Sequence, residues 1–233
     1  EAAGNGGTWA CTAGAGVTAG TEFSELSGLL HRVRGGATPL LFAAGVPMSG
    51  KEGSTPVTGS QLVAMISDLQ AETGWLDAAS RPPADIRGAI GMIARTRGRL
   101  SLDPVEGDTL DIVTLIFDTI AQDRDLPLEI QALISRLQLP ILKIALLDRG
   151  FFADRHHPAR RLINAIARAG KGWDSHNADA QDSLLDRMTA LVEGLAANGI
   201  AGTEAFASAL EQLTECIALA ELRVDGGATA TVV

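Results

Sequence analysis

Lysine is scarce in this sequence of 233 residues, which holds only Lys51, Lys143 and Lys171, and tyrosine is absent. Arginine therefore carries most of the positive charge on an alanine- and glycine-rich chain. That composition fits a GC-rich genome and reflects codon supply as well as function. Cysteine appears twice, at Cys11 and Cys216, with no CxxC pair. The spacing excludes a disulfide framework or a four-cysteine zinc site and points to a reducing, cytoplasmic compartment. No apolar run approaches the roughly 20 residues of a membrane-spanning helix. The densest, Leu139 to Leu147, is short and contains Lys143. The opening residues Glu1 to Gly4 lack both a methionine and a basic-then-apolar leader, so no signal peptide is expected and the chain reads as an internal piece of a longer protein. Positive charge is also in deficit: 19 Lys and Arg against 28 Asp and Glu leave a formal net charge of −9. Bulk nucleic-acid binding, which releases counterions from a basic surface, is not expected.

What is present is helical periodicity. Residues 1–56 form a Gly/Ala/Thr-rich segment whose backbone entropy few large side chains can offset, so a largely disordered linker is expected there. One stretch, 22–34, places Phe23, Leu26, Leu29, Leu30 and Val33 at helical spacing. A helical domain is expected over 57–223, followed by a flexible tail at 224–233. Its first stripe is Leu62, Met65, Ile66 and Leu69, with Ser60 as the expected cap. Ile86, Ile90, Ile93 and Ala94 form a second stripe. A broad apolar band after Asp103-Pro104 (Leu110, Val113, Phe117, Ile120) has the width of a central helix. Pro127 and Pro140 delimit segments at 127–138 and 140–149, and Gly150 is the expected end of the second. Pro158 opens a helix that Gly170 and Gly172 end, and two long helices are expected at 177–198 and 203–223. No segment alternates apolar and polar residues as a strand does. The fold class is all-α, a bundle of about seven or eight helices.

The run Leu137 to Trp173 is the densest in features. It holds Leu137-Gln138-Leu139-Pro140, Leu146-Leu147-Asp148, Phe151-Phe152 and His157-Pro158-Ala159-Arg160-Arg161-Leu162, and closes on Gly172-Trp173. In these features the sequence resembles the bacterial family known as domain of unknown function 1631, over roughly 57–222. The resemblance implies a long cytoplasmic helical protein of which this chain is an internal part, with a cyclic-dinucleotide-binding module at the far end of some members. It implies no established activity and no catalytic residue.

Chemistry is read residue by residue. Arg161, Asn164, Arg168 and Lys171 share one helix face by i+3 and i+4 steps, with Arg155, His157 and Arg160 just before them. Arginine forks and a helix start suit an anion, a phosphorylated ligand or an acidic protein surface. The plainer reading pairs these arginines with the acidic helices that follow, through Asp174, Asp179, Asp182, Asp186, Glu193, Glu204, Glu211, Glu215 and Glu221. Arg81, Arg87, Arg95, Arg97 and Arg99 spread around a helix and read as a solvated surface, RNA contact being the weaker choice. His156 and His157, as neighbours on a turn, diverge where metal ligands must converge, so no metal site is expected and His157 reads as a capping or packing residue. Asp108 and Asp111 share a face, but Asp108 reads as a first-turn acid favouring the helix dipole. No GxSxG, GxGxxG or GxxxxGK[ST] motif occurs, and Ser49-Gly50-Lys51-Glu52 lacks the upstream glycine of a phosphate loop. The sequence therefore gives an enzyme no support and implies no cofactor. The leading expectation is a protein-binding, scaffold or regulatory module that engages a protein partner or a neighbouring domain. The alternative is a nucleotide- or phosphate-binding site, sensory or catalytic, at residues 154–168.

Overall fold

A computed structural model describes residues 57–73, 86, 89–91, 93, 102–171, 178–197 and 202–228. The expected helix at 22–34, the arginines at Arg81, Arg87, Arg95, Arg97 and Arg99, and Trp173 lie outside the described residues. Among the described residues the chain is all-α, as expected: eight helices with described bounds, further helical residues at 86, 89–91 and 93, no strand, and one isolated parallel bridge between Val57 and Leu102.

Helix α1 (Gly59–Thr73) begins one residue before Ser60, the expected cap. The Thr58 hydroxyl accepts from the Gln61 N–H at 3.4 Å, and the Gln61 side chain accepts from the Thr58 N–H at 2.9 Å. This reciprocal capping box satisfies two donors that a cap at Ser60 would have left open. Helix α2 (Pro104–Ala121) starts where expected: Asp103 accepts from the Val105 N–H at 3.0 Å, and Pro104 takes the first helical position. Its first-turn acid is Glu106. Asp108 lies beyond that turn, and both Asp108 and Asp111 are buried.

Helices α3 (Leu128–Ser135) and α4 (Gln138–Leu147) meet at a 42° bend. The break falls at Arg136-Leu137 and not at Pro140, which sits in the first turn of α4 where its missing N–H leaves no bond unmade. Gly150 likewise does not end α4. It opens a single turn, α5 (Gly150–Ala153), after Asp148 has capped α4. Helix α6 (Pro158–Lys171) is followed by α7 (Ala178–Ala197) and α8 (Thr203–Ala228), so the last helix runs past the expected boundary at 223.

The central helix is α4, not α2. Seven consecutive α4 residues, Leu139 to Ala145, are buried, so the helix is covered all round, by α1, α2, α5 and α7. By contrast α2 exposes half of Leu115. Helix α6 packs on α8 and α3, and α7 also lies on α8. Ile86, Ile90 and Ile93 of the second expected stripe join the same core.

Gly170 lies inside α6 and does not end it. A Cβ there would stand 2.6 Å from Ile130 Cγ1 and 3.0 Å from Ile130 Cγ2 of α3. Ile130 is β-branched on a helix and has little rotamer freedom with which to yield. Gly170→Ala is therefore expected to push α6 off α3 and to destabilise the fold by about 1–3 kcal/mol, despite alanine's better helix propensity. A urea melt that shows stabilisation would refute this contact.

Candidate functional site

Helix α6 separates its residues sharply. Ala159, Leu162, Ile163, Ala165, Ile166 and Gly170 are buried, whereas Arg161, Asn164, Arg168 and Lys171 are exposed. Pro158 supplies a preset φ at the first position, and His157 Nδ1 accepts from the Ala159 N–H at 3.2 Å. A donor that a phosphate would seek at this helix start is already engaged by the chain itself.

The basic residues have different surroundings. The Arg160 guanidinium is half-buried and donates to the Phe152 carbonyl at 3.0 Å, tying α6 to α5. Arg155 Nε donates to His156 Nε2 at 3.1 Å, on the exposed turn between α5 and α6. Arg168 Nε donates to the Asn164 carbonyl at 3.3 Å, within the helix. Lys171 pairs with Asp123 at 3.2 Å. Arg161 makes no side-chain bond among the described residues. Pairing with the acidic segments that follow is realised by Arg136, which meets Glu193 at 2.8 Å. It is not realised by Arg160, Arg161 or Arg168, none of which forms an ion pair among the described residues.

His157 stands apart from these residues. It is buried, and both its nitrogens are occupied. Because Nδ1 accepts from Ala159, the ring proton sits on Nε2 and points to Asp148 Oδ2 at 3.4 Å. The same carboxylate accepts from the Thr203 hydroxyl at 3.2 Å and, through Oδ1, from the Gly150 N–H at 2.8 Å. Partial burial pushes the Asp148 carboxyl up, but these donors outweigh it and hold the group below its ordinary value. One carboxylate thus joins the end of α4, the turn α5 and the starts of α6 and α8. Phe151 closes the cluster, edge-on to His157 with ring centroids 5.5 Å apart. With both nitrogens used and the ring covered, His157 offers no atom to a substrate, and the cluster is a clasp. Asp148 and His157 stand inside the block singled out above, but Thr203 lies 55 residues from Asp148, and only the fold shows that partnership.

The remaining chemistry-bearing groups are dispersed. His156 is exposed and His157 buried, and no group of three His, Cys, Asp or Glu side chains among the described residues is placed to hold a metal. Cys216 of α8 is a free, half-buried thiol with Arg187 at 3.6 Å. Lys143 is buried within α4 and bonds to the Gln70 side-chain oxygen of α1. Among the described residues no single helix is long and apolar enough to cross a membrane. The bent pair α3–α4 passes on composition, but most of its apolar residues lie in the domain core.

The family described as "Protein of unknown function (DUF1631) 2nd domain" matches residues 56–199. No curated protein and no solved structure matches the chain. The match ends ahead of α8, whose Phe206, Ala209, Leu210 and Leu213 are nonetheless buried in the same core. With more than half of its length matched, over the helices that carry both the clasp's carboxylate and the exposed arginines, the chain belongs to the DUF1631 family and contains that family's second domain.

Proposed function

We propose that this domain is a docking module, a scaffold or regulatory part of a larger cytoplasmic bacterial protein. The outward face of α6, Arg161, Asn164 and Arg168, receives an acidic surface on a protein partner or a neighbouring domain. Arg155, Arg160 and Lys171 flank that face. The observation that carries the reading is that Arg160, Arg161 and Arg168 have no carboxylate partner among the described residues, in a chain whose acidic groups outnumber its basic ones. In such a chain, intramolecular pairing is the cheap outcome, and exposed arginine forks left over from it are suited to planar carboxylates from outside. The packing of α6, clasped at its start by Asp148 and seated on α3 and α8, holds the backbone from which those forks project, so that only side-chain freedom is lost on binding. A phosphate or nucleotide ligand has less support, because His157 occupies a donor of the helix start and Arg155 is turned to His156.

The test is a quantitative pull-down from extract, with the wild-type chain and the charge-reversed R161E/R168E variant as baits. Recovery of the wild-type partners is expected to fall at least about tenfold, since each exposed pair is worth up to about 1 kcal/mol and reversal adds repulsion. An unchanged partner set sinks the reading. A rise in melting temperature with excess nucleotide would replace it by the phosphate alternative.

A further inference from the structure

We infer that the acidic partner of the α6 face is a second copy of this chain, which docks the outward row of its α8 in antiparallel register; this rests on the docking reading above. Helix α8 carries Glu204, Ser208 and Glu211 as exposed residues, and neither glutamate forms an ion pair among the described residues. The spacing of this row is four then three residues. On α6 the exposed row Arg161, Asn164, Arg168 is spaced three then four. Run antiparallel, the two rows coincide: Arg161 faces Glu211, Arg168 faces Glu204, and Asn164 and Ser208 share the layer between. Both charge pairs repeat after seven residues, about 10.5 Å along either axis, so a shallow left-handed crossing keeps both in reach.

The match is not used within one chain, although α6 and α8 are packed neighbours. Leu162, Ile163 and Ile166 of α6, and Phe206 and Leu213 of α8, occupy the core and turn both charged rows outward. Complementary rows that are both exposed and do not pair with each other, among the described residues, on one molecule are the elements of a contact between molecules. The formal charge of −9 opposes association at long range. At 0.15 M salt that repulsion is screened beyond about 8 Å, while pairs in contact persist. Each exposed pair contributes at most about fivefold in affinity, so the association is weak and salt-sensitive.

Sedimentation equilibrium of the full 233-residue chain at 0.15 M salt tests the inference. Wild type is expected to self-associate reversibly and to dissociate when salt is raised to 1 M. R161E/R168E alone and E204R/E211R alone are each expected to weaken association at least about tenfold, since like charges then face each other. Mixing the two variants is expected to restore it, because both contacts become complementary again in the mixed species. A wild type that stays monomeric up to about 1 mM, or variants that associate as wild type does, overturns the inference. If the chain is monomeric and R161E/R168E still loses partners in the pull-down, the second copy is excluded while the docking reading stands. If neither experiment responds, both fall.

Discussion

Replacing Phe151 with alanine is expected to lower the unfolding free energy by about 3–5 kcal/mol, a large fraction of what a domain of this size possesses. The side chain is 2% exposed and among the largest fully enclosed ones. It meets Phe152 edge-to-face at 4.9 Å and His157 at 5.5 Å, so truncation removes two aromatic contacts as well as leaving a cavity. The loss also reaches the clasp. Phe151 forms one wall behind the His157 ring, whose Nε2 holds Asp148 and whose Nδ1 caps α6. A loosened ring weakens the link between α4, α6 and α8 together. Urea denaturation followed by circular dichroism should show a lower midpoint with an unchanged slope, the mark of lost stability without a changed denatured state. A loss below about 1 kcal/mol would mean that this turn collapses around the cavity and that the clasp does not depend on it.

Helix interiors were legible in the sequence because an apolar stripe at 3.6-residue spacing is a local property. Leu62, Ile66 and Leu69 on α1, and Leu162, Ile163 and Ile166 on α6, are buried as that spacing requires. Helix ends were less legible, because caps compete. Thr58 captured the start of α1 from Ser60 through its exchange with Gln61, and Pro140 was absorbed into a first turn that needs no donor from it. The identity of the central helix is hidden from the sequence for a different reason. A broad apolar band on α2 resembles full burial, whereas the band on α4 is interrupted by Lys143, and only tertiary contacts show that this lysine is enclosed. The arginine row of α6 could be read from spacing, but its lack of carboxylate partners among the described residues could not. Pairing between residues far apart in the chain is decided by which faces the core turns outward. Thr203 was out of reach for the same reason, since nothing local marks a threonine whose partner lies 55 residues away.

Raising the pH from 7.5 to 10.5 is expected to stabilise the wild-type domain relative to a Lys143→Met variant, by about 2–3 kcal/mol over that span. Burial among the apolar residues of α4 lowers the Lys143 ammonium from 10.5 to about 8. Between those values the unfolded chain, in water, keeps a proton that the folded chain has released. Unfolding therefore takes up a proton, and stability rises with pH through the window. Below about 8 both states hold the proton, and the folded state bears the full cost of an enclosed charge. The bond from Nζ to Gln70 offsets only part of that cost, as a hydrogen bond to a neutral amide oxygen does not replace hydration. Methionine keeps the length of the side chain and removes the charge, while half-buried Gln70 retains access to water. The variant should therefore be the more stable protein at pH 7.5 and should lose that advantage by pH 10.5. Other groups that titrate in this range are common to both proteins and cancel in the difference. Parallel stability curves for the two proteins, measured by urea melts at three pH values across the window, would mean that Lys143 reaches water in the folded state and that the centre of the bundle is more open than α4 indicates.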